Sequence, residues 1–193
     1  SVLGLAALYA IIPKTSMFAA IFMFLYTSVY TPLKTKTPLA VFVGAFPGAI
    51  PFMLGWVAAT GSFGLEAGTL FIIQFFWQFP HFWAIGWLMF DDYNRVGINM
   101  LPSGKKDRGT ALQAVLYSIW TLVVSVFPVL GITGDFQISI PAAILIGICG
   151  VWLIVSAMRL YQRLDQQAAK TLMLVSVIYI TLIQIIYVID KLI

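Results

Sequence analysis

The stretch Phe75-Phe76-Trp77-Gln78-Phe79-Pro80-His81-Phe82-Trp83 continues through Ala84 to Phe90 and closes on Asp91-Asp92-Tyr93-Asn94-Arg95. Its apolar part is long enough for a helix to cross a bilayer core, which takes about 20 residues. Gln78 and His81, the single histidine of the chain, lie inside it, and two adjacent carboxylates end it. Polar groups at membrane depth are expensive to hold, so they are functional candidates by default. The chemistry is expected here.

The rest of the chain shares this solvent. Of its 193 residues, 61% are hydrophobic and 9% charged, with a mean hydropathy of +0.98. A soluble domain sits nearer one half apolar and about a quarter charged. Apolar runs recur at 2–12, 16–30, 38–60, 69–90, 110–130, 140–160 and 171–189. Pro13, the Thr60-Gly61-Ser62 turn and the stretch from Gly131 to Asp135 punctuate them. With no polar domain and no Ser/Pro-rich linker, residues 1–193 read as one all-α, polytopic transmembrane bundle. The first residues lack the pattern of a cleavable signal peptide. The chain opens at Ser1 inside an apolar run, and the expectation is a fragment without its N-terminal part. Cys149 stands alone, so no internal disulfide is possible. The net charge of +4 is not gathered on a polar face, as nucleic-acid binding would require, and reads instead as a topology signal.

Seven crossings sort the basic residues unevenly. Lys34, Lys36, Arg95, Lys105, Lys106, Arg108, Arg159, Arg163 and Lys170 fall on one side, and only Lys14 and Lys191 on the other. Short loops rich in Lys and Arg stay in the cytoplasm, so Asp91 and Asp92 are expected there too.

Each polar feature has more than one reading. Asp91-Asp92 can be a solvated loop start, can pair with Arg95 or Lys34, or can hold a hard divalent cation. Mg²⁺ takes one or two carboxylates together with substrate phosphate oxygens. The bases on the same side, Lys34, Lys36, Arg95, Lys105, Lys106 and Arg108, suit a diphosphate, which points to an anionic head group on a lipid tail. His81 can ligate a metal or haem, act as a base, or bond another helix. Trp77 and the neighbouring aromatics can be packing and interfacial anchors, or the wall of a pocket for a flat or isoprenoid ligand. Pro47 and Pro51, in Gly44-Ala45-Phe46-Pro47-Gly48-Ala49-Ile50-Pro51, suggest a bent helix, close small-residue packing, or both.

Two blocks carry a resemblance. Trp77-Gln78-Phe79-Pro80-His81-Phe82, then Asp92-Tyr93, then Gly97 to Met100-Leu101-Pro102, form the first. Tyr30-Thr31-Pro32-Leu33-Lys34, then Gly44 to Pro51, closing on Gly55-Trp56, form the second. In order and spacing they resemble the protohaem IX farnesyltransferases (haem O synthases) of the UbiA-type membrane prenyltransferases. Thr35, Asn99 and Phe52 depart from that pattern, and Lys36 stands one place beyond the usual basic position. The resemblance implies nine transmembrane helices, about seven of them here, and a first Asp-rich motif upstream of Ser1. It implies farnesyl transfer from farnesyl diphosphate to a vinyl group of haem B, yielding haem O on the haem A pathway. Asp92 and Asp91 would be catalytic, holding Mg²⁺ and diphosphate with the six bases named above. His81, Gln78 and Trp77 would stand in the haem pocket, haem being substrate rather than cofactor. The implied location is the bacterial inner membrane with the active face cytoplasmic, and haem A synthase or an oxidase-assembly factor is the implied partner. Competing readings are a UbiA-type enzyme acting on a quinone precursor, a non-enzymatic haem- or lipid-binding membrane protein, and a transporter. A transporter often repeats its broken helices, and no second copy of the Pro47/Pro51 pattern occurs.

Overall fold

The computed structural model describes residues 2–193, apart from the side chains of Val2 and Ile11. Among these residues every regular element is helical: α1 (Val2–Ile11), α2 (Pro13–Leu33), α3 (Leu39–Thr60), α4 (Leu65–Leu88), α5 (Phe90–Arg95), α6 (Arg108–Leu130), α7 (Ile140–Arg163) and α8 (Gln166–Leu192). Local chemistry sets the ends. Pro13 opens α2 at a position where its missing N–H is no loss. Asp107, Ser139 and Asp165 cap α6, α7 and α8 by accepting backbone N–H groups of Thr110, Ala142 and Ala168. Gly61, at φ +68°, ends α3 in the left-handed conformation that glycine adopts without penalty.

Five helices, α2, α3, α6, α7 and α8, are long and apolar enough to cross a membrane. Helix α4, with 24 residues, reaches about 36 Å but carries Gln74, Gln78, His81 and Pro80. Helix α1, with ten residues, reaches only about 15 Å. One local feature differs from the sequence reading. The Asp91-Asp92 pair does not begin a loop; after a break at Met89 it lies in the separate short helix α5. Helix α3 stays helical through Pro47 and Pro51, with Gly44 and Gly48 closely packed, and a π-turn falls in α2 at Leu25–Tyr30. Such turns inside helices recur at functional sites.

Helix α4 packs against α3, α6 and α8, while α7 packs on α6 and α8, and α2 on α3 and α1. This helix is thus surrounded on three sides by protein, where the Gln78 amide and the His81 imidazole find partners. The buried positions of α7 (Ala142, Ile146, Gly150, Leu153, Ala157, Leu160) follow the three-and-four spacing of a helix stripe. Its other face exposes Ile144, Ile148, Val151, Trp152 and Val155. Several serine hydroxyls of α6 and α7 go inward instead. Ser118, Ser125 and Ser156 are buried and donate to carbonyls one turn earlier. In lipid an exposed isoleucine is at home and an unpaired hydroxyl is not.

The bundle has two chemically distinct ends. At one, the Lys14 ammonium donates to the Gly61 carbonyl, Glu66 accepts the Asp135 N–H, and Lys191 donates to the Asp135 carbonyl. At the other, the Asn99 N–H meets the Lys34 carbonyl and Arg108 lies over the Tyr161 ring. The two basic groups separated in the sequence therefore occupy opposite ends.

Candidate active site

The site builds upward from two glycines of α3. A β-carbon on Gly44 would stand 2.8 Å from the Tyr30 ring, and one on Gly48 only 2.1 Å from Gln78 Oε1. Both positions require glycine because neighbouring side chains fill the space. Buried Gln78 donates Nε2–H groups to the carbonyls of Ala45 and Gln74, each at 3.2 Å, which fixes its amide plane. The oxygen is then directed at Gly48.

Around this pair lies a cavity of about 170 Å³, lined by Phe22, Tyr26, Tyr30, Val41, Gly44, Gly48, Gln78, Phe82 and Met100. Its α2 wall is the segment that carries the π-turn. Four aromatic rings and one amide give it an apolar interior with a single strong dipole. A second cavity, of about 390 Å³, shares Val41 and is walled by Phe42, Phe79, Trp83 and Tyr117. The Phe79 and Tyr117 ring centroids are 4.4 Å apart there.

Above the first cavity the chain knits the charged residues together. Met100 and Leu101 press against Gly86, where a β-carbon would come within 2.9 Å of Met100 Cβ. The Asn99 N–H points to the Lys34 carbonyl at 3.4 Å, and the Ile98 N–H bonds the Tyr93 carbonyl at 2.9 Å. Lys34, at the end of α2, is in this way linked to the residue directly after Asp92. Asp92 pairs with Arg95 at 3.5 Å, and Asp91 with Lys106 at 3.8 Å. Both carboxylates are open, with 60% and 76% of their side chains exposed, so they remain available to a ligand. Lys106 also covers the Phe90 ring at 5.1 Å. The loop that carries it is held by Asp107, which accepts from the Thr110 N–H and the Ser103 hydroxyl at 2.8 Å each. Those bonds, the Thr110 N–H first, keep the Asp107 carboxyl below its ordinary range.

The expected site residues do not all converge. Asp91, Asp92, Arg95 and Lys106 form one charged rim, which the Lys34 backbone joins through Asn99. Lys36 and Lys105 are exposed at the same end without an ion pair among the described residues. Arg108 turns to Tyr161 on α7. Gln78, His81 and Trp77 were grouped in the sequence reading but divide between two neighbours. Gln78 reaches α3, whereas His81 Nδ1 lies 2.8 Å from Ser176 Oγ on α8, and the Trp77 indole donates to the Ser176 carbonyl at 2.6 Å. Three residues of helix put Gln78 and His81 about 60° apart around the α4 axis, so they flank one sector between α3 and α8. Tyr26, Tyr117 and Ser176 were not singled out in the sequence, where each reads as an ordinary apolar-helix residue, and Tyr30 stood out only as the first residue of a resemblance block.

No group of three or more His, Cys, Asp or Glu side chains suited to a metal occurs among the described residues. The two open carboxylates nevertheless fit Mg²⁺, a hard ion that completes its oxygen shell with substrate phosphates and water.

The chain is thus a helical bundle with an aromatic cavity beneath a rim of carboxylates and bases. The chain belongs to the UbiA prenyltransferase family, whose sequence profile matches residues 1–178, and it is an integral membrane protein. It is 63% identical over 191 residues to the protoheme IX farnesyltransferase of Flavobacterium johnsoniae, and equally to that of Christiangramia forsetii. The protoheme IX farnesyltransferase of Cytophaga hutchinsonii is 43% identical over 169 residues. The match covers 99% of this chain but 64% of each of the first two relatives, so the chain spans a little under two thirds of their length. No solved structure matches it.

Proposed function

We propose that the intact protein transfers the farnesyl group of farnesyl diphosphate to a vinyl group of haem B, giving haem O and diphosphate. The observation that carries this reading is the aromatic cavity of Tyr26, Tyr30, Gln78 and Phe82, roofed by the loop that joins Lys34 to the Asp91-Asp92 helix. The name of the relatives, protoheme IX farnesyltransferase, supplies the transferred group and its acceptor.

Breaking the allylic carbon–oxygen bond leaves negative charge on diphosphate and positive charge on the farnesyl carbon. Lys34, Arg95 and Lys106 lie at the rim to receive the first, with Lys36 and Lys105 adding field from the same end. Mg²⁺, held by Asp92 and Asp91, would neutralise the diphosphate oxygens. Ring faces of Tyr26, Tyr30 and Phe82 suit the allylic cation, because their quadrupoles attract positive charge. The apolar wall keeps water from the cation. His81 and Trp77, on the α4 sector next to Gln78, stand on the acceptor side. The basic end faces the cytoplasm across a bacterial inner membrane, and an oxidising haem-modifying enzyme consumes the product.

The test uses the full-length protein in membranes that make no haem O of their own, supplied with haem B and farnesyl diphosphate. Extracted haems are separated and weighed by mass spectrometry. Haem O is the expected product. Prenylation of an aromatic quinone precursor, with haem B untouched, would overturn the assignment.

A further inference from the structure

Three bonds converge on Ser176 of α8. Its hydroxyl donates to the Met173 carbonyl at 2.6 Å, its own carbonyl accepts the Trp77 indole N–H at 2.6 Å, and its Oγ lies 2.8 Å from His81 Nδ1. A hydroxyl has one proton to donate and two lone pairs with which to accept. With the proton on Met173, Oγ meets His81 as an acceptor. Nδ1 therefore carries the imidazole hydrogen and Nε2 keeps its lone pair. The Trp77 ring stacks on the imidazole, with centroids 4.9 Å apart and planes 15° from parallel, and so holds the ring plane.

A histidine that only tied α4 to α8 would duplicate a bond already present, since Trp77 makes that link to the same residue. What the hydroxyl adds is a defined tautomer. Imidazoles that ligate metals donate their other N–H to an oxygen in this way, which orients the ring and raises the basicity of the ligating nitrogen. His81 is half-buried and borders the α4 sector between Gln78 and α8.

We propose that Ser176 is a positioning residue that holds His81 as its Nδ1–H tautomer, with Nε2 presented as axial ligand to the iron of the porphyrin acceptor. This rests on the reading of haem B as acceptor. The bond formed is a single Fe–N coordinate bond, with no change in oxidation state and no proton released.

The experiment titrates ferric haem B into the full-length protein in detergent and follows the Soret band and electron paramagnetic resonance. The wild-type protein should show an imidazole-ligated spectrum, and His81→Ala should lose it. Ser176→Ala should weaken haem binding about tenfold and broaden or shift the spectrum, the scale seen when a ligating histidine loses its outer partner. Ser176→Thr, which keeps the hydroxyl, should restore it. The Trp77 bond is to the backbone and survives each change at 176. If Ser176→Ala fails to accumulate, Ser176→Cys, a weaker acceptor, provides the same comparison. Wild-type affinity and spectrum in Ser176→Ala or its cysteine substitute would overturn the role of Ser176, and an imidazole spectrum in His81→Ala would overturn the ligand assignment. Haem O formation by the wild-type preparation is measured in parallel. If it is absent, the acceptor reading fails separately from the Ser176 proposal.

Discussion

Gln78 and Gly48 are a matched pair. The amide oxygen of one occupies the space where a β-carbon of the other would stand, at 2.1 Å from that position. Two donated hydrogen bonds, to Ala45 and Gln74, prevent the amide from turning aside without loss. Gly48→Ala should therefore destabilise the protein by about 1–3 kcal/mol, the usual scale of overpacking. It should also depress prenyl transfer. Shortening the partner relieves the clash, so Gly48→Ala with Gln78→Ala should lie above the sum of the single losses by about 0.5–3 kcal/mol. Melting temperatures of the four proteins in detergent check this; strict additivity would show that the two residues do not touch.

Asp92 should matter to turnover far more than to folding. Its pair with Arg95 is largely exposed, and such pairs contribute about 0–1 kcal/mol. In the full-length enzyme Asp92→Asn should lower haem O formation by about 10²–10³-fold, the effect of removing an electrostatic element of about 3–4 kcal/mol. Asp91→Asn should cost less, because Asp92 directly precedes Tyr93, whose carbonyl links to the Lys34 loop. Near-normal turnover in a well-expressed Asp92→Asn enzyme would sink the diphosphate role.

Sidedness is open to direct labelling. In a Cys149→Ser background, a cysteine replacing exposed Val96 should resist a membrane-impermeant reagent added to intact cells. One replacing exposed Ile132, at the opposite end, should react. The reverse pattern would place the charged rim outside.

Acid should loosen the Lys106 loop through Asp107. Its carboxyl is held below the ordinary value of 3.8, chiefly by the Thr110 N–H. A lowered folded pKa means the stabilisation is present above 3.8 and disappears as the pH falls through the lowered value. Asp107→Ala should cost about 1 kcal/mol near neutrality, as loss of a helix cap does. The gap in melting temperature between wild type and variant should close below pH 4. A gap unchanged by acid would mean that the charge of Asp107 contributes nothing.

Glu66 and Gly134 form a latch at the other end of the bundle. Glu66 accepts the Asp135 N–H at 2.9 Å, and Gly134, at φ +65°, leaves no room for a β-carbon beside the carboxylate. Gly134→Ala combines a strained backbone with that collision, and should destabilise by more than about 1 kcal/mol. Serine or alanine at Gly147, which meets nothing within 4 Å, should have little effect by the same thermal measurement.

Composition and order along the chain were enough to determine the helical membrane class, the apolar segments and the separation of bases between the two ends. Each depends on local sums: apolar length against bilayer thickness, and charge counted loop by loop. The polar character of α4 was legible too, since Gln78, His81 and the Asp91-Asp92 pair stand out against oil. Tertiary structure decided what those groups face. Gln78 and His81 are three residues apart, yet one turns to Gly48 on α3 and the other to Ser176, 95 residues further along on α8. Helix periodicity gives only the angle between two side chains; which neighbour fills each direction follows from packing over the whole bundle. The π-turn of α2, two residues ahead of Pro32, and the break at Met89 were not read from the sequence. They set how the α2 aromatics and the Asp91-Asp92 pair are presented.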